Sequence, residues 1–217
     1  MAAQTVDSIP LQDVPIGAPV ALSSGATTLF VNVGVVNGAS LLLRETTLAT
    51  QRSMGRSTAG YYDYDTSTID KYLMGDSFYG TLSEAVRNKM VDSSITYSAS
   101  DGTNIITKTI QRKIFVPTYE QTASIDGVAG PVLSALMVYK ETETLNTARK
   151  AVRNGTTTAA AWWLMDAYST SKYYTVASSG SITTASYSAG GYYPRAIYSM
   201  DKTIPAVLDD GIYVCQF

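Results

Sequence analysis

The residues able to do chemistry are few: carboxylates, phenols, lysines and one thiol. Histidine is absent from the 217 residues, which removes the commonest general base, the commonest zinc ligand and the usual activator of a serine or cysteine nucleophile. Asp63-Tyr64-Asp65-Thr66-Ser67, followed by Asp70, sets oxygen-bearing side chains at alternate positions, as the opening of a calcium loop does. The pattern then breaks, because Thr68 and Met74 stand where an EF-hand needs Gly and a bidentate Glu. An acidic, helix-capping turn is the expectation instead, and no metal or cofactor is expected. Glu141 and Glu143 with Asp209 and Asp210 could supply the two acids that glycoside hydrolysis places across a sugar; neighbouring acids are as readily solvated surface. A carboxylate-dependent carbohydrate-active enzyme is therefore the catalytic alternative. Cys215 is the only cysteine, so no intrachain disulfide and no cysteine metal cage can form. With no basic residue beside it, its thiol is expected to be inert.

The other conspicuous chemistry is adhesive. Ala161 to Tyr198 holds both tryptophans, Trp162 and Trp163, and a series of tyrosines among serines and glycines, with only Asp166, Lys172 and Arg195 charged. Tyrosine offers a large amphipathic contact at low entropy cost and serine offers hydrogen bonds, which suits a binding surface. The same residues are good strand formers, and both roles can hold on opposite faces of one strand. Trp162, Trp163, Tyr168, Tyr173, Tyr174, Tyr187, Tyr192, Tyr193 and Arg195 are the candidate binding residues.

The elements that must position these residues read as one domain. A hydrophobic fraction of 45% against 16% charged describes a folded chain, since disordered chains show the reverse balance. A formal charge of -2 with no long Lys/Arg cluster argues against nucleic acid, and no apolar run reaches the length of a membrane span. Met1 to Asp7 lacks the basic and apolar regions of a secretory signal, so synthesis in the cytoplasm and release with an assembled particle are expected. Residues 1–20, with Pro10, Pro15, Pro19 and Gly17, predict an extended N-terminal arm lying on its own domain or on a neighbouring subunit; the domain proper is expected over 21–217. A three-stranded meander is expected from Val20 to Arg44, turning at Asn37-Gly38. Ala59 to Lys89 reads as helical, with two short helices, one over Thr68 to Met74 capped by Asp65 or Ser67, the other after Gly80 with Thr81 and Glu84 as a capping box. Strand or extended segments are expected at Ser94–Tyr97, at Ile105-Ile106, and at Ile110 with Lys113–Val116, interrupted by a turn at Asp101-Gly102 and stopped at Pro117. Thr142 to Arg153 has helical periodicity and a basic end suited to the helix dipole. Short aromatic strands separated by Ser/Gly turns complete the chain.

At these residues the chain resembles a domain of unknown function common in bacteriophage virion proteins and in surface proteins of gut bacteria. That family carries a Trp-Trp-Leu-Arg-Ser-Pro signature, a Tyr-Val strand, a Ser-Gly turn and Gly-Val-Arg-Pro-Ala. The counterparts are Trp162-Trp163-Leu164-Met165-Asp166-Ala167, Tyr174-Thr175-Val176, Ser179-Gly180 and Tyr193-Pro194-Arg195-Ala196. Upstream, Ser40-Leu41-Leu42-Leu43-Arg44, Ser67 to Leu73 and Arg112 to Glu120 also resemble family segments, so the likeness runs from about Val14 to Ala196. Two departures stand out: Met165 replaces an Arg, and the Arg-Pro order is reversed at Pro194-Arg195. The resemblance implies an α+β, C-type-lectin-like domain, mainly antiparallel strands with a few short helices. The formylglycine-generating enzymes that share this fold rely on paired cysteines, so their chemistry is not expected. In this setting the fold implies display and binding. The expectation is a virion structural protein, on a tail or fibre or decorating the capsid, serving host attachment through a surface glycan or protein. It would assemble with other virion proteins and as a homo-oligomer. A prophage-encoded bacterial glycan- or protein-binding module is a further alternative.

Overall fold

A computed structural model describes residues 7–55 and 63–217. The chain enters through β1 (Ser8–Pro10), a 3-10 turn at Leu11–Asp13 and β2 (Pro19–Ala21). The prolines hold this stretch out of α-helix, yet Leu11, Val14 and Val20 are buried in the domain's core. Asn32 ties the lead-in down: its Nδ2 donates to the carbonyls of Val14 (2.7 Å) and Pro15 (3.2 Å), while its Oδ1 accepts from the Gly34 N–H. The proline-rich segment thus lies along its own domain, and β2 crosses the expected boundary at residue 20. Residues 1–6 of the expected arm lie outside the described residues.

The meander forms as its turn chemistry requires. β3 (Leu29–Val36) and β4 (Ala39–Arg44) pair antiparallel from Val36↔Ala39 onward. Asn37 and Gly38 both have positive φ, 50° and 84°, the primed turn that matches strand twist. After residues 56–62, which include the start of the expected helical stretch and lie outside the described residues, Ser67 caps α1 (Thr68–Met74) by accepting the Asp70 N–H at 3.0 Å. The expected Thr81–Glu84 box is not made. Thr81 is spent in a 3-10 turn, donating to the Phe78 carbonyl, and Ser83 caps α2 (Glu84–Asn88) instead.

β5 (Ser93–Ser100) and β6 (Ile105–Arg112) form a long hairpin whose turn is closed by Asp101, which accepts the N–H groups of Thr103 and Asn104. β7 (Ile114–Phe115), α3 (Tyr119–Thr122), β8 (Ser124–Ile125), β9 (Val128–Ala129) and α4 (Pro131–Tyr139) follow. The helix expected over 142–153 shrinks to α5 (Leu145–Arg149), because the chain turns into β10 (Ala151–Val152). Arg149 is not a solvated end charge: its guanidinium turns inward and Nε donates to the Thr122 carbonyl at 2.9 Å. The chain ends through β11 (Ala159–Ser169), β12 (Lys172–Val176), β13 (Ile182–Ser186), β14 (Tyr192–Tyr193), β15 (Ile197–Met200), β16 (Pro205–Asp209) and β17 (Ile212–Cys215).

The fold is α+β with mostly antiparallel strands. An eight-stranded sheet runs β1-β16-β17-β2-β3-β4-β15-β7, and a smaller one runs β10-β11-β12-β13 with β14 beside β11. Successive side chains of a strand point to opposite faces, and β11 is covered on both. Trp163 enters the main core, while Trp162 joins Ala151, Leu164 and Val176 in a second, small core. Each indole N–H is satisfied, by the carbonyl of Arg149 for Trp162 (3.2 Å) and of Arg52 for Trp163 (2.7 Å).

Candidate ligand-binding groove

The sequence candidates divide by burial. Trp162, Trp163, Tyr173 and Arg195 are fully buried and Tyr193 is 8% exposed. Buried in this way they do not form a surface binding face, and that expectation is corrected: covering both faces of β11 buries the two tryptophans, and Tyr173 packs into the main core beside Trp163. Arg195 does a structural task there. Its Nε and Nη2 donate to the carbonyls of Arg44 (3.0 Å) and Glu45 (2.9 Å), and its guanidinium lies 5.1 Å from the Trp162 ring centre. Burial pushes its pKa down to about 9, so it remains a cation at neutral pH. Tyr187 and Tyr192 are half-buried against the main core, Tyr192 with its ring 4.7 Å from that of Trp163. Tyr168 and Tyr174 remain, and they belong to a different group.

That group is completed by Tyr119. Its ring stacks on Tyr174 at 4.3 Å and 29°, and Tyr168 meets Tyr174 edge-on at 5.2 Å. Tyr168 is 52% exposed, turned outward where the β11–β12 register shifts on either side of the Ala167↔Tyr173 pair. Tyr119 and Tyr174 rest on the small core around Trp162. Tyr119 is placed by a capping box in which Thr118 accepts the Gln121 N–H (3.1 Å) and Gln121 accepts the Thr118 N–H (3.0 Å).

Asp166 is the brace beneath. One carboxylate oxygen accepts the Ser98 N–H at 2.8 Å and the other the Tyr119 N–H, joining β5 and α3 to β11. Burial raises its pKa; these two hydrogen bonds oppose the rise, and the charge of Glu120 adds to it. Beside the tyrosines, Asp166, Glu120, Thr96 and Thr107 line a hollow of about 220 Å³. It shares Thr96 and Glu120 with a second hollow of about 240 Å³ that reaches Asn37 and Pro131, and this in turn shares Glu120 and Pro131 with a third of about 300 Å³ bounded by Ile125 and Val128. The three make one groove passing over α3, polar and aromatic at one end and apolar at the other. The shape and mixed lining suit an extended ligand with both apolar faces and hydroxyl groups.

Tyr119, Glu120, Thr96 and Asp166 were not among the sequence candidates. The one local signal was the Thr118-x-x-Gln121 pattern, a helix start that puts Tyr119 in the first helical position.

The acids singled out in the sequence go elsewhere. Asp63 accepts from the Tyr97 hydroxyl and pairs with Lys108, and Asp65 and Asp70 pair with Arg112. The calcium-like carboxylates are therefore spent on protein cations. Glu141 and Glu143 sit exposed between α4 and α5, and Asp209 and Asp210 at the β16–β17 turn. Cys215 is buried, and burial pushes its thiol up to about 12.

No curated protein and no solved structure matches the chain. A family model does, over residues 37–202, and its description is a domain of unknown function, DUF6273. That span holds the groove, its tyrosines and Asp166, and with most of the chain matched the protein belongs to the DUF6273 family.

Proposed function

We propose that the protein is a non-catalytic binding module that takes an extended surface glycan along the groove over α3. One observation carries this: three tyrosines from separate segments, Tyr119, Tyr168 and Tyr174, form one ring cluster, and Tyr119 carries it to the wall of the hollow that also holds Glu120 and Asp166. Their rings present apolar faces to the C–H faces of sugar rings, and their hydroxyls, with Glu120, Thr96 and Thr107, offer hydrogen bonds to sugar hydroxyls. The C-type-lectin-like identity of the fold belongs to the same proposal. It is supported by the Trp-rich β11 and by Arg195, which closes against Trp162. The setting is the one the sequence resemblance implies, a bacteriophage virion surface, as a tail, fibre or capsid-decorating component for host attachment, assembled as a homo-oligomer with other virion proteins.

The hydrolytic alternative has one observation in its favour, the meeting of Asp166 and Glu120 at a single hollow. Hydrolysis needs both carboxyl groups free to reach the sugar. Both oxygens of Asp166 are taken by backbone N–H groups and the residue is 6% exposed, which favours binding.

The test is titration of the purified chain with a panel of bacterial surface glycans, followed by calorimetry or NMR. Saturable binding is expected, weakened roughly tenfold by Tyr168→Ala with the unfolding midpoint unchanged. Binding indifferent to both Tyr168→Ala and Tyr119→Ala would overturn the groove, as would no binding across the panel. Release of reducing ends that stops in Glu120→Gln would replace binding by catalysis. Immunogold labelling of particles tests the setting, and unlabelled particles would sink it.

A further inference from the structure

A second cavity lies apart from the groove, between the end of α4 and the β10–β11 edge. It measures about 270 Å³ and is lined by Glu45, Lys140, Lys150, Ala151, Val152 and Ala159. We propose that it binds a small oxyanion, a phosphate or carboxylate group, held by Lys140 and Lys150 in the field of the buried Arg195.

The charges around it do not balance. Among the described residues, the ion pairs are those of Lys108 and Arg112, and none joins Lys140, Lys150 or Arg195 to a carboxylate. Glu45, the one acid in the lining, accepts the Tyr139 hydroxyl at 2.7 Å. Two lysines therefore line the cavity with one carboxylate, and Arg195, which donates to the Glu45 carbonyl at 2.9 Å, adds a third cation outside the lining. Arg195 is fully buried and its Nη1 has no hydrogen-bond partner, although a buried guanidinium ordinarily spends every N–H it can. Lys140 is held in place by the backbone beside the cavity: its Nζ donates to the carbonyls of Lys150 and Thr147. An ammonium has three N–H donors, so one remains for a ligand. Lys150, exposed at the rim, adds charge without being confined. The remaining walls, Ala151, Val152 and Ala159, are apolar, and they lower the local dielectric so that a charge-assisted hydrogen bond gains strength.

The titration of Lys140 agrees with this geometry. Burial, then the charge of Arg195, push its pKa down to about 8, with Glu45 opposing and Lys150 adding to the fall. A bound anion restores the missing opposite charge, so affinity should be full below about pH 8 and decline above it as Lys140 loses its proton.

The experiment is NMR or calorimetric titration of the full chain with inorganic phosphate and, separately, with glucuronate, at pH values on both sides of 8. Saturable binding of either is expected, weakened about tenfold by Lys140→Met and by Lys150→Gln and weaker at the higher pH. Phosphate alone would identify a free phosphate site, glucuronate alone an acidic-sugar site, and both would identify a general oxyanion site. Failure of both probes to saturate, or binding unchanged in both variants, would overturn the proposal. Lys150 is exposed, so its variant keeps the test decisive if Lys140→Met does not fold. Tyr168→Ala should leave this binding untouched, which separates the site from the groove.

Discussion

Arg112→Met strips the counter-charge from a buried carboxylate, and its cost can be worked from the contacts. The guanidinium meets Asp70 as a fork, Nε to one oxygen at 2.8 Å and Nη2 to the other at 2.9 Å, and Nη2 also reaches Asp65. The Asp70 side chain is 5% exposed and that of Asp65 38%. Breaking a buried pair by removing one partner costs about 3–5 kcal/mol, whereas the exposed Asp65 arm adds less than about 1 kcal/mol. Arg112 is itself partly exposed, at 20%, so water can replace some of its role and a loss of about 3 kcal/mol is expected. Against a typical stability of about 5–15 kcal/mol the variant should still fold. Urea unfolding at neutral pH measures the loss.

The pH dependence supplies the sharper check. Burial raises the folded-state pKa of Asp70 even with Arg112 beside it, and removing Arg112 raises it further. Between the unfolded and folded values the native state holds a proton that the unfolded state has released, so stability increases as pH falls through the folded pKa. The window opens at higher pH in the variant than in the parent. Its deficit should therefore shrink on acidification, and Asp70→Asn added to Arg112→Met should recover part of it at neutral pH. A loss below about 1 kcal/mol, or one of constant size across pH, would refute the claim that Arg112 serves to compensate Asp70.

Two further outcomes follow from backbone and burial. Gly180→Ala should destabilise by roughly 2–5 kcal/mol, because Gly180 has φ +89° and an added Cβ would lie 1.7 Å from the Asn146 carbonyl oxygen; a variant with the parental melting temperature would refute it. Cys215 should react with a thiol reagent only at the rate of unfolding, since it is buried with its thiol pushed up to about 12; fast stoichiometric labelling of the native chain would contradict this.

Local chemistry made much of the scaffold legible. Asn37-Gly38 dictated a hairpin because both residues tolerate positive φ, Ser67 dictated a helix start because its oxygen reaches the Asp70 N–H, and Asp101-Gly102 dictated a turn. The absence of histidine and of a second cysteine closed whole classes of catalysis before any fold was known. Competition for a backbone decided the misses. Thr81 reads as a cap, but its hydroxyl is taken by the Phe78 carbonyl, and Ser83 caps instead.

The site was set by tertiary structure. Period-two alternation announces that Trp162 and Trp163 point to opposite faces of β11, and it is silent on what covers each face. Both faces are covered, so residues suited to a ligand became two cores. The tyrosine cluster draws on residues 119, 168 and 174, and the brace under it joins Asp166 to Ser98 and Tyr119. The calcium-like acids met Lys108 and Arg112, more than forty positions away. Side-chain type and spacing are local properties, whereas burial, counter-charge and convergence depend on which distant strand packs against which, and that is decided only when the sheets assemble.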